Sequence, residues 1–161
     1  MRIRAFSVIA GVVSLAIGCP SPTVPSVPLE ELLSAPLDIE AGGRVFTLET
    51  YLWRDFMPVS PPDGSDLRAV VRITAVDLQP FPVELDADRL WVINGRIVWE
   101  TAFSGENRPR DSLHLHQLEK SASGGPKWDT GIRVEVVVRV VTPTGRRHLL
   151  RASGQLISMT V

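Results

Sequence analysis

Hydrophobic and polar residues alternate along several stretches of the chain, a pattern typical of β-strands that bury one face. Three stretches show it most clearly: "RVFTLETYLW" from Arg44, "LRAVVRITAV" from Leu67 and "GIRVEVVVRVV" from Gly131. The side chains predicted to point inward are Phe46, Leu48, Thr50, Leu52, Leu67, Ala69, Val71, Ile73, Ile132, Val134, Val136, Val138 and Val140. Each stretch is therefore predicted to be a strand with one face in the core.

The stretch "RLWVINGRIVWE" predicts a tight β-hairpin. Asn94 and Gly95 both tolerate the positive φ of a type I′ turn, and strand-forming residues flank them on either side. A loop of these two residues would pair Ile93 with Arg96. The side chains predicted to face the core are then Leu90, Val92, Ile97 and Trp99.

The remaining pattern predicts an all-β domain over residues 29–161. "SLHLHQL" is another alternating stretch, Gly154 is expected to mark a bulge or bend, and seven or eight strands follow without a long helix. "LEELLSA", from Leu29 to Ala35, predicts one helical turn packed under the domain. We expect an antiparallel immunoglobulin-like β-sandwich of seven or eight strands, with a small closed β-barrel as the alternative.

The first 18 residues have the layout of a signal peptide. "MRIR" carries two positive charges, and "AFSVIAGVVSLAIG" is an uninterrupted run of apolar and small residues. At about 14 residues, that run is shorter than the roughly 20 residues of a membrane-spanning helix. We expect residues 1–18 to be removed by cleavage.

"LAIGC" ends at Cys19, the single cysteine of the chain, and resembles the lipobox of bacterial lipoprotein precursors. Ala16 stands where that family usually has leucine, and Leu15 lies one position earlier. The resemblance implies that Cys19 receives diacylglycerol on sulfur, becomes the new N-terminus and is then N-acylated. Residues 19–28, with four prolines in "PSPTVPSVP", are predicted to form the lipidated cysteine and an extended tether.

A lipid anchor places the protein in the bacterial cell envelope, on the periplasmic or surface side of a membrane. We expect the outer membrane rather than the inner one, although Pro20 after the cysteine gives no clear sorting signal. The formal net charge is −1 and neither sign is gathered into a block, so nucleic acid binding is not expected. An envelope protein is the expected partner besides the membrane, and the sequence does not indicate an oligomeric state.

The segment "VVRITAVDLQPFPVELDADRLWVI" joins two strands through a proline-containing turn and leads into the tryptophan hairpin. It resembles the immunoglobulin-like sandwiches of bacterial lipoproteins and of the intracellular proteinase inhibitor family of bacilli. The resemblance implies an architecture for about a third of the chain and carries over no inhibitory or binding residue.

"HLH" supplies the strongest metal-binding pattern. On a strand, His114 and His116 would project from one face with Cα atoms about 6.5–7 Å apart, a spacing that can chelate zinc or copper. Completing the site would need a third ligand, for example His148 or a carboxylate such as Glu119 or Asp111. The alternative is that Leu113 and Leu115 face the core and both histidines face solvent.

Four tryptophans offer large, rigid contact surfaces: Trp53, Trp91, Trp99 and Trp128. Trp99 is expected in the core. Trp91, on the mixed face of the hairpin, is a candidate partner contact, with core or sheet packing as the alternative. Trp128, in a glycine-rich loop, is a second candidate, and its alternative is a plug at the end of the sandwich. Asp86 and Asp88 would share a face of an extended segment and are weighed as a calcium site against a role as turn residues.

Catalytic motifs are not found in the sequence: there is no GxSxG elbow, no HExxH and no phosphate-binding glycine loop. We therefore expect a noncatalytic binding or structural module with no cofactor other than the covalent lipid on Cys19. Two alternatives remain open, a zinc or copper carrier that uses the HLH strand and a protease inhibitor that uses an exposed loop.

Overall fold

The computed structural model describes residues 25–111 and 113–161, which form nine strands and one short helix. They are α1 Leu29–Ser34, β1 Asp38–Ala41, β2 Arg44–Asp55, β3 Leu67–Ala75, β4 Asp86–Asn94, β5 Ile97–Thr101, β6 Gly105–Asn107, β7 Gln117–Gly125, β8 Arg133–Val141 and β9 Arg147–Thr160. The all-β class is confirmed. Within the described ranges no helix has the length and apolar character needed to span a membrane.

Eight strands follow one another along a single sheet in the order β5-β4-β8-β9-β2-β3-β7-β6, and β1 pairs with β2 beside that path. Neighbours are antiparallel except β2 and β9, which run parallel. The sheet is strongly curled and forms a half-barrel. The antiparallel immunoglobulin-like sandwich is therefore not confirmed, because the sheet is mixed and continuous.

β9 contains a bulge shortly before the point where its pairing partner changes from β8 to β2. Ser153 and Gly154 together lie opposite Glu135, whose carboxylate accepts hydrogen bonds from the Ser153 hydroxyl (3.0 Å) and the Gly154 N–H (2.9 Å). Gly154 adopts a φ of 62°, which a glycine reaches without steric cost. The predicted bulge is confirmed. On both sides of the bulge β9 pairs with β8, as far as Leu156, and from Ile157 onward it pairs with β2, beginning opposite Leu52.

The concave face of the sheet holds the main core. The side chains predicted to point inward from β2, β3 and β8 are buried, except Thr50 and Ile132, which are partly buried. Trp99 also packs against this core, as predicted, and its ring lies on Gly125, where an added Cβ would come within 2.8 Å of the ring. Only glycine at position 125 leaves room for the indole.

A second, smaller core lies on the outer face of the sheet, where α1 covers β4 and β8. Its buried members are Leu32, Ala35, Trp91, Ile93 and Val137. The predicted helical turn is confirmed, because α1 places Leu32 completely inside. The helix thus covers the outward-facing apolar residues of two central strands.

The packed part of the chain begins before the predicted start of the domain. The N–H and hydroxyl of Ser26 donate to the Glu100 carboxylate at 2.7 and 2.6 Å, and Val27 packs against the second core. At the other end of this segment, the Arg151 side chain donates to the carbonyl oxygen of Ala35, and the Arg151 N–H donates to that of Pro36. We call residues 25–36 the N-terminal strap. The last residues of the predicted tether therefore lie on the sheet.

The β4–β5 hairpin is confirmed, but its register differs from the prediction. Asn94 pairs with Ile97 as the last strand residue, so the loop consists of Gly95 and Arg96. Gly95 alone has a positive φ, 60°, as in a type II′ turn, which needs glycine only at its first loop position. The shifted register leaves Ile97 61% exposed at the hairpin tip instead of in the core.

Candidate functional site

An open pocket of about 410 Å³ lies at one end of the half-barrel, within the size range of ligand sites. Three turns surround it: residues 42–43 between β1 and β2, residues 82–85 before β4, and residues 142–146 between β8 and β9. Gly42 and Gly43 both have positive φ, which permits the two-residue turn between Ala41 and Arg44. We call this the pocket end.

Arg44 holds one wall of the pocket in place. Its guanidinium forms a two-pronged ion pair with Asp77, with both contacts at 2.7 Å, and donates to the carbonyl oxygens of Gln79 and Pro80 at 2.9 Å. The side-chain hydrogen bond from Arg44 holds the pKa of Asp77 below its usual range. Arg44 therefore ties the segment before β4 to the first residue of β2.

The pocket combines an apolar floor with a charged rim. Ala41 and Leu85 are buried beneath it, and four charged or titratable side chains stand around it: Glu40, Glu84, Arg146 and His148. Within residues 25–111 and 113–161, these four side chains form no hydrogen bond or ion pair. Both signs of charge are thus free to contact a ligand or a partner placed over the floor.

An ion network around the buried Lys120 lies next to the pocket wall and joins β4 to β6 and β7. The Lys120 ammonium, on β7, contacts Asp86 at 2.7 Å and Glu106 at 2.5 Å, and Arg108 contacts Glu106 at 2.7 Å. Burial disfavours the charged amine, but the hydrogen bonds to Asp86 and Glu106 outweigh it and raise the pKa of Lys120. Arg108 also donates to the carbonyl oxygen of Leu85 at 3.0 Å.

The same network removes the basis for a shared calcium site. Asp86 is engaged by Lys120, whereas Asp88 forms a two-pronged ion pair with Arg139, with both contacts at 2.7 Å. The hydrogen bond from Arg139 lowers the pKa of Asp88. Each carboxylate therefore already has its own cation.

The structure places His114 and His116 in a turn rather than on a strand, and the strand prediction for "SLHLHQL" is wrong up to Gln117, where β7 begins. Asp111 explains the turn: its carboxylate accepts hydrogen bonds from the N–H groups of Leu113 (3.1 Å) and His114 (3.0 Å). A short acidic side chain that bonds the backbone this way competes with strand formation. The two imidazoles therefore lose the common strand face on which the metal prediction rested.

In the described part of the chain, Asp111 is the one predicted third ligand in contact with a histidine of the pair, although Glu119 lines the same polar groove as His114. Asp111 Oδ1 is 2.7 Å from His114 Nδ1, and this hydrogen bond lowers the pKa of Asp111. Glu119 is paired with Arg72 at 2.8 Å, and His148 lines the pocket, whereas His114 lines a separate polar groove. Within the described ranges, no three His, Cys, Asp or Glu side chains are placed to share a metal ion.

The four tryptophans do not form one aromatic platform. Trp91 is completely buried under α1, so its side chain offers no surface to a partner, and Trp99 packs on the main core. Trp128 is partly buried against that core at the end opposite the pocket. Trp53 stacks on Tyr51 on the outer face of β2, with ring centroids 5.0 Å apart.

Sequence reasoning missed the pocket rim and the buried cations. The rim residues lie in turns that are far apart in the chain, and no motif spacing connects them. Lys120 carried a usable signal, because "QLEKSAS" places it between Leu118 and Ala122 on the inward side of an alternating strand. A lysine at such a position indicates a buried ion pair. Cys19, the predicted lipid attachment point, lies outside the described residues.

Comparison with known proteins found no matching family model, no matching curated protein and no matching solved structure.

Proposed function

We propose that the protein is a noncatalytic binding module of the bacterial cell envelope, anchored to a membrane through lipid on Cys19, whose pocket end contacts an envelope protein. The pocket is the observation that carries this proposal. Its apolar floor and unengaged charges of both signs match the apolar centre and polar rim of protein interfaces. The ion network next to it keeps the wall in place without a partner, which reduces the ordering cost of binding.

The loop beside the pocket favours a protein partner. Leu78 and Val83, on the loop between β3 and β4, are 67% and 79% exposed. Leu78 also has a φ of 58°, a left-handed conformation that is costly for a residue with a branched side chain. Arg44 holds this loop through the carbonyl oxygens that follow Leu78. An exposed apolar side chain in a strained backbone is well suited to contact another protein.

The partner contact can be tested by photo-crosslinking in intact cells. We expect a photoreactive residue at Thr144, in the pocket end, to give one discrete adduct with an envelope protein. The same residue at Val59, which is 92% exposed at the opposite end, should give none. Because Arg146 is a rim charge, Arg146→Glu should reduce the adduct by about tenfold. Equal adducts at both positions, or an adduct insensitive to Arg146→Glu, would contradict the proposal.

The anchor has its own test. We expect Cys19→Ser to remove the acyl mass from the protein and to shift it out of the membrane fraction, since the thiol is the attachment point. Ser21→Ala, two residues further on, is the matched control and should leave the acyl mass and the membrane fraction unchanged. The measurements are intact mass and membrane fractionation. A Cys19→Ser protein that keeps both properties would refute the lipid anchor.

A further inference from the structure

The β4–β5 hairpin tip lies beside the point where the strap meets the sheet. Glu100, which holds Ser26, pairs with Trp91, three residues before the end of β4. At about 3.3 Å per residue, Ser26 is therefore held roughly 10 Å from the tip formed by Gly95, Arg96 and Ile97. The first described residues of the chain thus lie close to this hairpin.

The tip and the pocket lie at opposite ends of the domain. Asp86, the first residue of β4, follows the pocket wall, and Asn94, the last, adjoins the tip. A nine-residue strand is roughly 25 Å long. A surface held against the tip would therefore leave the pocket end open to solvent.

The chain between Cys19 and Ser26 limits how far the strap can be from the lipid. Seven residue steps span at most about 25 Å even when fully extended. Both polar groups of Ser26 are held by Glu100. Burial acts to raise the pKa of Glu100, but the hydrogen bonds from Ser26 together with the contributions of Trp91 and Arg89 outweigh burial and hold this pKa below its usual range. A charged Glu100 keeps this part of the chain on the sheet at neutral pH.

The tip itself has the chemistry of a membrane contact. Ile97 is 61% exposed, and Arg96, also exposed, precedes it in the turn. An isoleucine can enter the boundary between head groups and acyl chains while a neighbouring arginine extends its charge to the head groups. One apolar side chain is a weak contact on its own, but a covalent lipid nearby greatly raises its effective concentration at the bilayer.

We infer that the hairpin tip of Gly95, Arg96 and Ile97 rests on the bilayer surface of the anchored protein, so that the pocket end points away from the membrane. This inference rests on the proposed lipid anchor at Cys19. It adds an orientation to the proposed function: the strap and the tip face the lipid, and the partner-binding end faces the opposite direction.

The orientation can be measured on the full, acylated protein in phosphatidylcholine vesicles that carry a spin-labelled lipid as a fluorescence quencher. Lipid occupies the sulfur of Cys19, so a newly introduced cysteine is the only thiol that a fluorophore can label. We expect a fluorophore at Arg96→Cys to lose most of its emission in these vesicles. A fluorophore at Thr144→Cys, in the pocket end, should lose none.

A further variant separates a true contact from mere proximity. Ile97→Asp changes an exposed side chain, so the fold should be retained, as circular dichroism can verify. With the fluorophore still at position 96, this variant should lose the quenching while remaining on the vesicles. Quenching that is unchanged by Ile97→Asp, equal at positions 96 and 144, or stronger at position 144 would overturn the inference.

Flotation and intact mass distinguish the two levels of the proposal. A protein that floats with the vesicles and carries the acyl mass, but whose position 96 is not quenched, overturns only the orientation. A protein that neither floats nor carries the acyl mass overturns the lipid anchor, and the orientation with it.

Discussion

Trp91→Ala is expected to lower the free energy of unfolding by about 3–5 kcal/mol, the usual cost of removing a fully buried tryptophan. Trp91 is 0% exposed and lies between the outer face of the sheet and α1. Its loss leaves a cavity next to Leu32 and Val137, and the strap can fill it only by shifting. We expect the strap to loosen as well, because Leu32 and Ala35 of the strap are buried in the same cluster as this side chain.

Trp128→Ala is the matched control. Trp128 is only partly buried, so its removal should cost about 1–2 kcal/mol on the basis of the smaller area lost. Urea unfolding of residues 20–161 measures both variants under the same conditions. If Trp91→Ala costs no more than Trp128→Ala, the burial of Trp91 under the helix is incorrect.

Arg54→Met is expected to cost about 3 kcal/mol of unfolding free energy and to detach the loop that carries Trp128. Arg54 is 5% exposed, and its guanidinium donates to the carbonyl oxygens of Asp63, Ser65 (2.9 Å), Lys127 (3.4 Å) and Trp128 (3.0 Å). Methionine fills much of the same volume but donates no hydrogen bond. The carbonyl groups of two loops would therefore lose their shared partner.

Arg133→Met controls for the loss of an arginine. Arg133 is exposed and donates a side-chain hydrogen bond to one carbonyl oxygen, that of Gly154, at 2.7 Å. We expect its replacement to change stability by no more than about 0.5 kcal/mol. Urea unfolding gives the stability of both variants, and tryptophan fluorescence of the native state reports whether the Trp128 loop has moved. Equal effects at positions 54 and 133 would show that Arg54 does not organise the two loops.

The main core could be predicted because strand burial is a local property of the sequence. Val71 and Val136 each stand in a stretch where apolar residues recur at every second position, so their inward direction follows from the period of two residues. The helical turn at Leu32 and the bulge at Gly154 were also predictable, since helical spacing and an isolated strand glycine are short-range patterns. The sequence pattern that predicts each of these features spans fewer than about a dozen consecutive residues.

Local alternation was misleading where a side chain competed with the strand. "SLHLHQL" alternates as well as many true strands, yet Asp111 bonds the backbone of Leu113 and His114 and holds them in a turn. The predicted hairpin register was wrong for a different reason. Asn94-Gly95 and Gly95-Arg96 are both acceptable two-residue loops, so the local sequence does not choose between them. The structure adopts the Gly95-Arg96 loop, and in this arrangement β4 also pairs with β8 from Asp86 to Ile93.

The candidate site depended on contacts between distant parts of the chain. Glu40, Glu84 and Arg146 meet only because β1, the loop before β4 and the β8–β9 turn end on the same side of the half-barrel. The parallel pairing of β2 with β9 joins residues more than 100 positions apart. Pairing over such distances is selected by the packing of the whole sheet, and no local pattern encodes it.

The sequence by itself determined β2, β3, β4, β5 and β8, the inward faces of β2, β3 and β8, and the residue on which an expected lipid anchor depends, Cys19. The tertiary structure alone decided the curl of the sheet, the pocket and the fate of Trp91. Both faces of β4 are apolar, so alternation could not show whether its outer face meets a partner or the chain itself. Strap residues more than 50 positions away cover that face, because burying Leu32 against Trp91 removes both side chains from water.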